Sequence, residues 1–190
     1  KPVIDDQDIN LVTETIRSTF VSGDGPACRR FEEKLKEYLN VEHVFFTNSC
    51  TGALDLAFMV KDFPVESEVI VPNFTYTSTA LAPLLNNLKV ILVDVYAENG
   101  NIDVSKIEEA ITEKTVAISP VDYAGNPADM DAINQIAKKH NLYVVHDTAQ
   151  SLGATYNGKR TGTLADVSCF SFHGTKNITT GEGGALVTND

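Results

Sequence analysis

Seven short runs rich in Val, Ile and Phe recur along the chain, and stretches with helical spacing separate most of them. The runs are Val44–Phe46, Val69–Val71, Val90–Val93, Val116–Val121, Leu142–Val145, Val167–Phe172 and Ala185–Thr188. Several are apolar throughout, the pattern of strands covered on both faces. Between them, Phe31–Leu39 places Phe31, Leu35, Tyr38 and Leu39 at helical spacing, and Thr51–Val60 follows the first run. Val104–Ile111 and Met130–His140 each begin after an aspartate, Asp103 and Asp129, whose side chain suits an N-cap. The alternation predicts an α/β fold, a mainly parallel seven-stranded sheet with helices on both faces. A glycine-rich loop joins the last two runs in place of a helix, so an antiparallel strand is expected there.

At 190 residues the chain suits one domain with a real core. Its formal net charge of −11 disfavours nucleic acid and anionic membrane as partners. A locally positive site for a small anion remains compatible with that charge. No apolar run approaches the ~20 residues of a membrane span. Lys1–Ser18 is polar, with Asp5, Asp6, Asp8 and Glu14, unlike a secretory leader. Cys28, Cys50 and Cys169 are odd in number and far apart, which suggests neither a disulfide framework nor a zinc site. A cytoplasmic location with reduced thiols is the expectation. His43, His140, His146 and His173 lack metal-ligand spacing, so no metal is expected. Gly23-Asp24-Gly25 lacks the third glycine of a dinucleotide fingerprint and follows no strand. Phosphate-loop, nucleophile-elbow and zinc-protease motifs do not occur.

Ligands of open α/β sheets bind beyond the carboxyl ends of the strands. The residues there are polar: Thr47-Asn48-Ser49-Cys50-Thr51-Gly52-Ala53, Pro72-Asn73-Phe74-Thr75-Tyr76, His146-Asp147-Thr148-Ala149-Gln150 and His173-Gly174-Thr175-Lys176-Asn177. Ser49, Thr51 and Gly52 read equally as a capped helix start and as an anion seat, where free N–H groups meet a phosphate. Ser171 alternates with Phe170 and Phe172 and should face away from them, as a structural hydroxyl or as part of the seat. Tyr76 reads as core or as a stacking platform. Asp147 ends an apolar strand, where a carboxylate is costly to bury unless paired. Lys176 reads as solvated surface or, between a buried strand and Gly181-Glu182-Gly183-Gly184, as a functional amine.

Ser171-Phe172-His173-Gly174-Thr175-Lys176-Asn177 with Gly181-Glu182-Gly183-Gly184-Ala185 resembles the lysine segment of the DegT/StrS-type sugar aminotransferases. Asp147-Thr148-Ala149-Gln150 resembles that family's D-x-A-Q segment, and Asn48–Leu54 its phosphate-binding helix start. Pro72–Tyr76 and Tyr123-Ala124-Gly125-Asn126-Pro127-Ala128-Asp129-Met130 resemble two further segments, in the same order. His146 departs from the pattern, which often has Glu before the aspartate. Within the family, Gly23-Asp24-Gly25, Cys50-Thr51 and the Ser171–Asn177 run resemble the transaminases acting on TDP-4-oxo-6-deoxy-glucose for surface polysaccharides.

The resemblance implies the large domain of an aspartate-aminotransferase-like, fold-type I enzyme with pyridoxal phosphate as cofactor. Lys176 would carry the cofactor and move the proton, Asp147 would pair with the ring nitrogen, and Tyr76 would stack on the ring. Thr51, the Gly52 backbone and Ser171 would hold the phosphate, and Gln150 would reach the phenolic oxygen. The implied amino donor is glutamate, the acceptor a nucleotide-linked keto-sugar, and the assembly a homodimer with shared sites. Residues 1–30 read as an N-terminal arm and loop and 31–190 as the cofactor-binding domain. The family's smaller C-terminal domain is expected to lie outside these residues, leaving this piece alone a weak cofactor binder without turnover. Two alternatives keep the fold: a sugar dehydratase, in which His replaces the lysine, and a non-catalytic regulator.

Overall fold

The computed structural model describes residues 2–190. In chain order its elements are α1 Asp6–Arg17, α2 Pro26–Leu39, β1 His43–Thr47, α3 Cys50–Lys61, β2 Glu68–Pro72, α4 Ser78–Leu85, β3 Lys89–Val93, α5 Val104–Ala110 and β4 Thr115–Ile118. A 3-10 turn at Tyr123–Gly125, α6 Met130–His140, β5 Tyr143–Asp147, β6 Thr155–Tyr156, β7 Lys159–Arg160, β8 Val167–Ser171 and β9 Gly184–Thr188 follow. Seven strands form one sheet in the order β1-β9-β8-β5-β4-β2-β3. β9 runs antiparallel to both of its neighbours, and the β8-β5-β4-β2-β3 pairings are parallel. The antiparallel strand is the one entered through the glycine-rich loop, where no helical crossover intervenes.

Both faces of the sheet are covered, which is why its strands read as continuous apolar runs. Val69, Val71, Val145 and Cys169 pack with Ala53, Leu54 and Phe58 of α3. Their neighbours Ile70 and Val144 point the other way, to Ile107 of α5 and Met130 and Ile133 of α6. Phe170, Phe172 and Val187 meet Leu35 and Leu39 of α2. Each such side chain taken fully from water contributes roughly 1.5–3 kcal/mol.

The aspartate caps act as expected. Asp103 accepts from the Ser105 N–H, and Asp129 from the Ala132 N–H. Other elements depart from the expectation. The arm contains α1, opened by a capping box between Asp5 and Asp8. It has no buried residue, and Ile9, Val12 and Ile16 lie exposed along it. α2 begins at Pro26, upstream of Phe31, because proline at the first helical position is already set to helical φ. The fourth strand stops at Ile118 instead of Val121. Pro120 has no N–H to continue the ladder, and Val121 makes one isolated bridge to Asp147. α4 has no counterpart in the expected helices: it is two turns long and holds Pro83. The β6–β7 hairpin turns on Asn157-Gly158, both at positive φ, as a tight two-residue turn requires. Among the described residues no helix is long and apolar enough to cross a membrane.

Candidate active site

The carboxyl ends of β1, β5 and β8 and the entry to β9 lie at one end of the sheet, since β9 alone is reversed. A cavity of about 370 Å³ opens there. It is lined by Thr51, Tyr76, Asp147, Gln150, Ser171 and Lys176, six of the seven residues expected to form a site. The seventh, Gly52, is not in the lining. It sits in the first turn of α3, and its N–H is directed to the Ser49 hydroxyl at 3.1 Å.

Asp147 is only 4% exposed. Its Oδ2 accepts from Thr79 Oγ1 at 2.7 Å and its Oδ1 from the Ala149 N–H at 3.1 Å. Burial pushes the carboxyl above its usual range, and the Thr79 and Ala149 hydrogen bonds oppose the shift only in part. Thr79 is itself fully buried, and its hydroxyl lies 2.8 Å from that of Thr75. Its part was not read from the sequence. The available signal was the hydroxyl run Thr75-Tyr76-Thr77-Ser78-Thr79, which puts Thr79 one helical turn after Tyr76.

At the other end of the cavity α3 begins. Ser49 caps it, Thr51 Oγ1 lies 2.6 Å from Ser78 Oγ, and Ser171 faces the same space while Phe170 and Phe172 are buried in the core. The N–H groups of a helix's first turn, backed by its dipole, form an anion seat. Here hydroxyls surround it. Ser78 joins the expected Ser49, Thr51 and Ser171. Lys176 reaches the space between, half-buried, on a loop held by its own N–H to the His173 carbonyl at 2.9 Å and by Asn177 Nδ2 to the Leu152 carbonyl at 2.7 Å. Tyr76 is 74% exposed and stands at the mouth, not in the core. Tyr123, His173, Thr175 and Glu182 also line the cavity, and the sequence assigned them no role there.

These residues fit pyridoxal phosphate. A buried carboxylate raised in pKa by desolvation would be relieved by a cationic ring nitrogen. The helix start offers donors for a phosphate, and an amine stands between the two.

The raised carboxyl leads to a stability prediction. A folded-state pKa above the unfolded value of about 3.9 means that folding is favoured most below that value. The benefit is lost as pH rises through the folded pKa. At neutral pH Asp147 therefore costs stability in cofactor-free protein. Asp147→Asn should melt higher than the parent at neutral pH, with the margin closing in acid. In a chain of this size about 1 kcal/mol corresponds to roughly 2–4 °C. Melting curves across pH decide it, and an Asn variant that melts lower at neutral pH contradicts the desolvation argument.

A sequence model of the DegT/DnrJ/EryC1/StrS aminotransferase family matches residues 2–190. GDP-perosamine synthase of Caulobacter vibrioides is 40% identical over 189 residues, covering 100% of this chain and 51% of that protein. The chain thus spans about half the length of the curated relatives it matches. The aminotransferase structure from Psychrobacter cryohalolentis superposes with a TM-score of 0.95 at 35% identity, over 99% of this chain and 48% of that one. The GDP-4-keto-6-deoxy-D-mannose-3-dehydratase of E. coli, solved with hydrated PLP, gives 0.93 at 27% identity, over 99% of this chain and 50% of that one.

Proposed function

Because the chain belongs to the DegT/DnrJ/EryC1/StrS aminotransferase family, we propose that it forms the cofactor-binding part of a pyridoxal-phosphate aminotransferase. The enzyme moves the amino group of glutamate to a nucleotide-linked keto-deoxy-sugar. Residues 31–190 form the cofactor domain and 1–30 its arm. The supporting observation is that Lys176, Asp147 and the start of α3 line one cavity.

Pyridoxal phosphate, when bound, supplies an electron sink for the carbon that loses or gains a proton. The chain's own groups do the rest. Lys176 would hold the cofactor through its amine and would take and return the proton at the substrate carbon. Asp147 would keep the cofactor's ring nitrogen protonated, because a buried carboxylate is best matched by a cation. Thr51, Ser171, Ser49 and Ser78 would hold the phosphate against the α3 N-terminus, the Gly52 N–H contributing through the Ser49 cap. Tyr76 would cover the cofactor's ring, and Gln150 would be the partner for its phenolic oxygen. Lys176 favours amino transfer over dehydration, which in this family uses histidine there.

The finer reading is TDP-4-oxo-6-deoxy-glucose as acceptor, in surface polysaccharide synthesis in the cytoplasm. A two-fold dimer completes the site. In support, Tyr76 is exposed at the mouth, and Leu81, Leu84 and Leu85 are exposed on α4, the helix that follows it. A covering subunit would exclude water from the reacting groups. The test is amino transfer by the whole protein, with glutamate as donor, across TDP-, GDP- and UDP-linked keto-sugars. Cofactor-dependent release of 2-oxoglutarate with an aminated sugar is expected, the TDP sugar being the best acceptor. Absence of amino transfer across the panel would sink the reading, and preference for another nucleotide would sink only its finer part.

A further inference from the structure

Behind the cavity, on the other face of the sheet, lies a buried polar cluster that the proposed chemistry leaves unused. His146 and Asp147 are successive residues of β5, so their side chains leave opposite faces. His146 Nε2 is 2.7 Å from Asp122 Oδ1, and both side chains are fully buried. Asp122 accepts twice more, from the Ala128 N–H at 3.0 Å and from Ser151 Oγ at 2.6 Å. The backbones are joined at the same point. The Asp122 N–H donates to the Asp147 carbonyl at 3.1 Å, and the Asp147 N–H to the Pro120 carbonyl at 2.9 Å. One carboxylate thus ties together the segment carrying Val121 and Tyr123, the end of β5 carrying Asp147, and the turn carrying Ala149 and Gln150. All three segments line the cavity.

An ionised carboxylate only accepts, so the His146 proton facing Asp122 is on Nε2, and in the neutral ring Nδ1 is an acceptor. Among the described residues the buried His146 Nδ1 and Ser168 Oγ have no hydrogen-bond partner. The two residues are register partners on the adjacent strands β5 and β8. Their side chains therefore emerge side by side on one face. Buried polar atoms are rarely left unpaired, so the one bond the ring does make, to Asp122, is what holds it in place.

Resting on the reading of the cavity above, we propose that His146 is a positioning residue for the cofactor site. Its Nε2–H is given to Asp122. Through Asp122 it sets where Asp147 and Gln150 stand.

The probe is pyridoxal phosphate, titrated into parent and variant protein and followed by the absorbance of the bound cofactor. Melting of the cofactor-free protein is measured alongside. His146→Leu is expected to weaken binding about tenfold or more, as small misplacements of a site do, and to change the bound spectrum. His146→Gln, whose amide can donate to Asp122, should recover parent affinity and spectrum. A Leu variant that melts lower yet binds with parent affinity and spectrum overturns the proposal, because packing loss alone predicts that result. If the Leu variant does not fold, Ser151→Ala carries the same test by removing one hydroxyl from Asp122: weakened binding supports the proposal and parent-like binding overturns it. Nitrogen resonances of the cofactor-free protein that put the proton on His146 Nδ1 also overturn it. Failure of the parent to bind the cofactor would instead sink the proposed function, leaving the tautomer measurement to judge the cluster.

Discussion

Lys176→Ala protein, incubated with pyridoxal phosphate and reduced with borohydride, is expected to yield no cofactor-labelled peptide, while the parent is labelled at Lys176. Of the residues lining the cavity, Lys176 is the one lysine. Its loop is pinned on both sides, by the Lys176 and Asn177 hydrogen bonds described above and by Thr179 Oγ1 and the Thr180 N–H, each 3.0 Å from the Phe172 carbonyl. The amine is thereby delivered to a defined place, and no other lysine can substitute without rebuilding the loop. The hydroxyls at the α3 start and Asp147 remain, so noncovalent binding should persist in weakened form. Turnover by the whole protein should fall by about 10²–10⁴-fold or more, the usual contribution of a positioned acid-base group. Lys176→Arg keeps the charge but cannot attach the cofactor, because the guanidinium stays protonated. An equal loss in both variants assigns the effect to the amine and not to its charge. A parent label on any other lysine overturns the assignment.

Gly184→Ala is expected to cost both stability and cofactor binding, although it adds a single methyl group. Gly184 opens β9 and pairs with Thr47 on one side and Ser171 on the other. A Cβ there would lie 2.3 Å from the Ser49 carbonyl carbon and 2.4 Å from both Cys50 N and Ser49 O. These are backbone atoms at the start of α3, so no side chain can swing aside. Either β9 or the helix start must move. Overpacking of this kind costs about 1–3 kcal/mol, occasionally more, and here the displaced backbone is the expected phosphate seat. Gly23→Ala is the control, since a Cβ at Gly23 meets nothing within 4 Å. Melting temperature and cofactor titration for both variants decide the matter. A Gly184→Ala protein with parent-like values would mean that the close approach of β9 to α3 is not required.

The glycine shows where legibility ends. The run Gly181–Gly184 is visible in the sequence as a tight loop, but what Gly184 abuts is Ser49, far away along the chain and adjacent only because β9 lies beside β1. The same division holds for the carboxylate. That Asp147 ends an apolar strand and faces the end of a sheet follows from its own neighbours. That Thr79 donates to it depends on α4, whose two turns and internal proline carry too weak a periodic signal to be read as a helix.

Legible in the residues alone were the α/β class, the seven strands of the main sheet to within a few residues, the aspartate caps and the polar strand ends that meet in the cavity. Each of these is a property of neighbouring residues: periodicity, burial on both faces, and a side chain closing its own helix start. The resemblance to a family added the expected roles of those strand-end residues. The strand order, the hydroxyl shell around Asp147 and the α3 start, and the pairing of His146 with Asp122 behind the site came from the three-dimensional arrangement. It also showed that Gly52 serves the helix cap and is not in the cavity lining. Those contacts join segments far apart in the chain. They depend on strand register and crossover, and a one-residue change of register would turn His146 and Asp147 to the opposite faces.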